Sequence, residues 1–173
     1  MMRFSAFDLS LTSTGYAVSH PVQGVPMPTH GTIASGLKGV LRLIMIRSRV
    51  LEIAAASELV ILEGYAFAAK GRAVVSLGEL GGVVRVALHE YRHRVVEIPP
   101  TSRAKYATGK GNAGKAAVLA EAIRRLGYQG HSNDEADALW LYAMAADHYG
   151  FPLVAMPEVN RSALDKIVWP RCR

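Results

Sequence analysis

Asp8, Glu63, Asp134 and Asp137 are the residues of this chain whose types and placement speak of chemistry. Asp8 lies within the first apolar segment, Glu63 ends a later apolar run, and Asp134 and Asp137 share a face at the start of a helical stretch. A single acid at a strand end is ordinarily solvated, and Asp134 alone would be a first-turn acid favoured by the helix dipole. Asp8 and Glu63 are harder to dismiss, because an unpaired charge in apolar surroundings is costly. Together the four describe a site for a hard divalent cation. Magnesium prefers oxygen ligands in near-octahedral geometry and keeps several waters. Two such ions about 4 Å apart can clamp the attacking and leaving oxygens of a phosphodiester displacement.

The elements that must bring these acids together are legible in the hydrophobic pattern. Residues 3–9, 14–19 and 30–34 read as three short strands, the last two separated by a Pro/Gly-rich turn. Residues 37–56 carry helical spacing, with Leu41, Ile44, Met45 and Leu51 on one face and Arg42, Arg47 and Arg49 largely on the other. Residues 59–62, LVIL, form a buried strand that Glu63 ends. Residues 73–90 form a second helix, whose Gly78, Gly81 and Gly82 point to close packing. Residues 94–98 form a strand stopped by Pro99 and Pro100, and the stretch from Pro99 to Thr108 is a poor candidate for a further one. Residues 115–126 form a helix ending at Gly127. Ser132 and Glu135 match a capping box, so a last core helix starts at Ser132 and runs to about residue 149. Glu135 then points away from the acids as a cap only. The order gives an α/β fold: a mixed five-stranded sheet, three antiparallel strands followed by parallel crossovers, with helices on both faces. Residues 1–150 make this unit. Residues 151–173 read as a tail with one short helix over 161–168, packed on or beyond the core. Asp8 and Glu63 would lie side by side at the carboxyl edge, where sites usually form.

The chain has 173 residues, half of them hydrophobic, which suits one domain with a sizeable core. No apolar run approaches the roughly 20 residues of a membrane span, and the early Asp8 argues against a signal peptide. A cytoplasmic protein without membrane association is expected. The lone Cys172 excludes an intrachain disulfide. Lys and Arg exceed Asp and Glu by 20 − 14 = 6. Arg85, Arg92, Arg94, Arg103, Lys105, Lys110 and Lys115 fall in a stretch interrupted by only Glu90 and Glu97, which reads as a phosphate-binding face. A net-basic chain with a metal site is a candidate nuclease.

The run Gly109-Lys110-Gly111-Asn112-Ala113-Gly114-Lys115 imitates nucleotide-binding fingerprints, but Ala116 stands where a P-loop needs a hydroxyl, and no acid ends a second strand downstream. No nucleotide cofactor is expected. The loop reads instead as a basic nest for DNA phosphates, with Lys110 and Lys115 as point charges. After Glu63, Tyr65 and Phe67 lie beside Lys70 and Arg72, a combination suited to stacking on an unpaired base or wedging open a junction. Residues 9–15, small or hydroxyl-bearing apart from Leu9 and Leu11, leave room for a phosphate beside Asp8. His131, three before Asp134, is an auxiliary candidate for orienting water.

The stretches FSAFDLSLTSTGYAV, LVILEGYAFAAKG followed by SLGELGG, YATGKGNAGK and SNDEADALWLYA resemble, in order and spacing, the RuvC-type Holliday junction resolvases of the ribonuclease H-like superfamily. The resemblance covers about residues 3–148 and has the flavour of a phage-type member. It implies a homodimer that binds branched DNA, four-way junctions above all. Each subunit would nick one strand with magnesium, or manganese in its place, leaving 5′-phosphate ends, in a bacterial or phage-infected cell. Carried over by position, the catalytic and metal-holding carboxylates are Asp8, Glu63, Asp134 and Asp137. The junction-contacting aromatic falls on Phe67 when the loop is shifted by one residue to align, and Tyr65 is the alternative. The family's basic neighbours of the site fall near Lys110 and Lys115; Lys70, Arg72 and Lys105 are added as DNA-contacting cations on the reading of the residues themselves. The helix over 73–90 would form the dimer interface.

Three other classes compete. Another branched-DNA or RNA–DNA hybrid nuclease of the same fold would keep the acids and change the substrate. An actin-like ATPase would need a second phosphate loop and a longer, two-lobed chain. A non-catalytic DNA-binding module would leave four acids beside phosphate without a cation to reconcile them.

Overall fold

The computed structural model describes residues 2–20, 22, 27–65 and 72–171, with backbone alone for 72–74. Five strands, β1 (Phe4–Asp8), β2 (Ser13–Val18), β3 (Thr29–Ala34), β4 (Leu59–Glu63) and β5 (Val95–Ile98), form one sheet in the order β3-β2-β1-β4-β5. β1 pairs antiparallel with β2 and parallel with β4. β2–β3 is antiparallel and β4–β5 parallel. The expected mixed sheet is present, with each strand within about a residue of its predicted span.

Alternation along the central strands sorts side chains to two cores. Phe4 and Ala6 of β1, with Leu59 and Ile61 of β4, enter a cluster with α3 (Pro100–Thr108), α4 (Lys115–Leu126) and α5 (Asn133–His148). Phe7 of β1, with Val60 and Leu62 of β4, joins the cluster under α1 (Gly39–Ala54) and α2 (Arg72–Glu90). β4 is buried on both faces, which is why it reads as an unbroken apolar run. α5 is buried along nearly its whole length, from Ala136 to Asp147, and its alanines let it lie close to β1 and β2. Of its buried polar rings, Trp140 donates from Nε1 to the Val118 carbonyl at 3.1 Å and Tyr142 Oη meets Ser19 Oγ at 3.1 Å.

α3 is the element absent from the sequence reading. It opens with Pro100, whose fixed φ and missing N–H suit a helix start, and it stops at Gly109, φ 82°, in the left-handed region. Those two residues are a helix signature, masked by the short span and sparse apolar content of the segment between them. It also places a helix, not a strand, before the glycine-rich loop, so the loop lacks the context of a P-loop.

Residues 151–171 pack onto the α3/α5 side. α6 (Glu158–Arg161) and a single 3-10 turn (Leu164–Lys166) replace the one helix expected over 161–168. Met156, Ala163, Leu164 and Ile167 enter the same core as α5. Asn160 donates to the Tyr106 carbonyl at 2.7 Å, Tyr106 Oη donates to Asp147 at 2.9 Å, and Arg161 pairs with Asp147 at 3.1 Å. Trp169 stacks on His148 with ring centroids 4.4 Å apart.

Candidate active site

β1 and β4 run parallel with Phe7 opposite Leu62, so Asp8 and Glu63 follow as neighbours at the carboxyl edge. Each shares the parity of residues that face α5, Phe4 and Ala6 for Asp8, Leu59 and Ile61 for Glu63. The third contributor is the first turn of α5. Ser132 caps it, its side chain accepting from the Glu135 N–H at 3.2 Å. Asp134 lies in that turn and Asp137 follows on the same face. Gly15, directly across from Asp8 on β2, lets this turn approach, since a Cβ there would lie 1.9 Å from the Asp134 carbonyl oxygen. The small residue after Asp8 thus accommodates a helix, where the sequence suggested room for a phosphate. The Thr14 hydroxyl closes the β1–β2 turn on its backbone instead, accepting from the Ser10 N–H at 3.0 Å and donating to the Ser10 carbonyl at 2.7 Å.

Arg103 stands among these acids. Only 6 % exposed, it donates from Nε to Glu63 and from Nη1 to Asp137. Its place in a basic run hid it: charge spacing suggested a solvated phosphate-binding face, whereas α3 carries Arg103 inward. The usable signal was its position just beyond the Pro99-Pro100 stop at the end of β5. The rest of that run disperses too. Arg85 forks onto Glu97 at 2.6 and 2.9 Å, and Arg94 donates to the Arg171 carbonyl at 2.7 Å. Lys110 and Lys115 are exposed and Lys105 half-buried, and the Lys115 ammonium lies 3.5 Å from Asp134 Oδ1.

Burial dominates the electrostatics. It pushes the Asp8 carboxyl well above the usual carboxylate range, aided by Glu63 and Asp137 and opposed by Arg103. Burial likewise pushes Asp137 up to about 6, against the pull of Arg103. Asp137 Oδ2 is buried without a hydrogen-bond partner. Among the described residues no group of three or more His, Cys, Asp or Glu side chains is drawn together as a formed metal cage. The donor set nonetheless suits a hard divalent ion: carboxylates from three elements, like charges raising one another, and one orphaned oxygen.

Glu135 does point away from this cluster, but its side chain does not cap α5 as expected, since Tyr128 Oη takes the Ser132 N–H. It accepts from Tyr128 Oη at 2.7 Å and pairs with His30 Nδ1 at 2.6 Å, fixing α5 to β3. His131 is exposed. On the other flank, a cleft lined by Asp8, Glu63, Gly64, Tyr65, Gly81 and Arg85 opens beside the acids. Tyr65 is held there, with the Arg85 guanidinium 4.5 Å from its ring centroid and donating to its hydroxyl at 2.9 Å. Gly81 admits this pair, since a Cβ would meet the Tyr65 hydroxyl at 2.0 Å. Of the three α2 glycines, Gly78 and Gly82 face open space. Phe67 and Lys70 lie outside the described residues, as does the side chain of Arg72.

No family model and no curated protein matches the chain. Solved structures do. The chain is similar to RuvC of Thermus thermophilus, with TM-score 0.67 and 21% identity over 90% of this chain and 100% of that one. It is similar to T. thermophilus RuvC in complex with a Holliday junction substrate, with TM-score 0.64 and 24% identity over 82% and 90% of the two chains. The Fowlpox virus resolvase in complex with Holliday junction DNA matches with TM-score 0.54 and 15% identity over 86% and 99%. At these identities the likeness is one of fold. The chain has the RuvC-like, ribonuclease H-like fold of Holliday junction resolvases over most of its length.

Proposed function

We propose that this protein is a metal-dependent, structure-selective endonuclease that resolves four-way DNA junctions by paired nicking, leaving 5′-phosphate ends. The observation that carries the reading is the meeting of Asp8, Glu63 and the α5 acids at the carboxyl edge of a sheet whose fold is shared with resolvases solved on junction DNA. Asp8, Glu63, Asp134 and Asp137 would hold the magnesium or manganese. When bound, the ions supply an activated water and stabilisation of the leaving 3′-oxygen. The chain's own residues do the rest. Burial keeps competing water from the inner carboxylates, Gly15 seats the α5 acids beside Asp8, and Lys105, Lys110 and Lys115 hold backbone phosphates. Phe67 is assigned the junction contact over Tyr65, because Tyr65 is tethered to Arg85 and α2. Paired nicking calls for two sites, hence a homodimer. α2, with Val75 and Val86 exposed and Gly78 and Gly82 open, is the face assigned to it.

The test is cleavage of a labelled four-way junction with magnesium, beside linear duplex, fork and RNA–DNA hybrid, for wild type and Asp8→Asn. Paired symmetric nicks on the junction, absent in the variant, are expected. Preferential cutting of fork or hybrid would keep the metal site and change the substrate. Cutting of nothing with either metal, or full activity in Asp8→Asn, would sink the reading.

A further inference from the structure

Arg103 is the buried charge that the nuclease reading leaves without a task. Burying a guanidinium is costly unless it is paired and hydrogen-bonded. Arg103 meets that cost by engaging Glu63 and Asp137 through two different nitrogens. Both partners belong to the proposed metal-holding set, and Arg103 takes one oxygen of each, Glu63 Oε1 and Asp137 Oδ1, placing its charge where a cation bound by the same carboxylates would meet it. Local charge sharpens the conflict. Four carboxylates carry up to −4, and Arg103 and Lys115 return +2. Arginine also cannot yield by giving up its proton, as a lysine or histidine could. Its competition with a cation ends only when the side chain moves.

We propose that Arg103 is a built-in counter-ion of the site, its pairing with Glu63 and Asp137 competing with the binding of divalent cations by those carboxylates. The proposal rests on the metal-nuclease reading above. It makes Arg103 a residue that sets cation affinity, and linkage makes the effect reciprocal: whatever draws Arg103 away, an incoming phosphate included, tightens cation binding. A guanidinium fork matches phosphate oxygens as well as carboxylates, so the swing has a destination on the DNA.

The experiment is titration of the DNA-free protein with manganese by calorimetry, for wild type, Arg103→Met and Arg103→Lys, with thermal unfolding followed with and without the ion. Removing a unit charge that directly opposes the cation is expected to tighten manganese binding by about tenfold in Arg103→Met. The metal-free variant should melt lower than wild type, and its rise in Tm on adding manganese should be larger. Arg103→Lys, a point charge that cannot fork between two carboxylates, should fall between the two, and it decides the matter if Arg103→Met does not fold. Equal or weaker binding in the folded variants would overturn the proposal and make Arg103 an organiser of the carboxylates, with the metal reading intact. Binding in a variant but not in wild type would be its strongest support. No binding in wild type or either variant would sink the metal reading itself.

Discussion

Asp8 and Asp137 are carboxyls whose hold on a proton is strengthened by burial, which gives the metal-free protein a pH signature. Both are raised in the folded state, so folded protein retains protons that unfolded chain has lost. Their stabilising contribution is present below the ordinary carboxylate value of 3.8 and fades as pH rises through the folded values, about 6 for Asp137. The shift on Asp137 alone corresponds to about 3 kcal/mol. Thermal unfolding in chelator is therefore expected to weaken from pH 5 to 7.5. Asp8→Asn should raise the metal-free Tm at pH 7.5 by about 2–4 °C while abolishing cleavage. An unchanged or lower Tm would mean that Asp8 is not electrostatically frustrated. At this scale the sequence singled out the four acids as candidates, because carboxylates inside or at the ends of apolar runs are conspicuous. It did not yield Arg103, because a linear run of basic residues carries no information about which of them a helix turns inward.

Gly15 and α3 show what elements add. The strands were legible from alternation and from the LVIL run, since period and burial coincide there. α3 was not, because its evidence lay in its two ends and its apolar content is low. The seating of α5 against β2 could not be read either, as the contact of Gly15 with Asp134 joins residues far apart in the chain. Gly15→Ala is expected to push the first turn of α5 off the sheet. Cleavage should fall by two orders of magnitude or so, as about 1 Å of misplacement can cost, with a clear drop in Tm. Wild-type activity in Gly15→Ala would show that the α5 acids tolerate displacement. Tyr106→Phe removes the donor to buried Asp147 and leaves Arg161 as its partner. A loss of about 1–2 kcal/mol in denaturant unfolding is expected, and no loss would mean that Arg161 alone satisfies the carboxylate.

For the whole molecule, the remaining exposed cations and the exposed α2 face carry the expectations about DNA and assembly. Lys110→Ala with Lys115→Ala should weaken junction binding and flatten its logarithmic salt dependence by roughly 2; an unchanged slope would remove this loop from the DNA surface. Val86→Arg, on the exposed face of α2, is expected to shift the protein from twice its 18.7 kDa chain mass to a monomer in light scattering. A monomeric wild type, or a dimeric variant, would move the interface elsewhere. The final segment acts over a similar span. Tyr106 and Asp147 stand on the same two helices as Arg103 and Asp137, one turn further along α3 and about 15 Å further along α5. Residues 158–161 thus hold α3 one turn past Arg103 and α5 at the end away from Asp137. The spacing of α3 and α5, on which the Arg103–Asp137 pair rests, is thereby tied to the final segment, as a buckle holds two straps side by side.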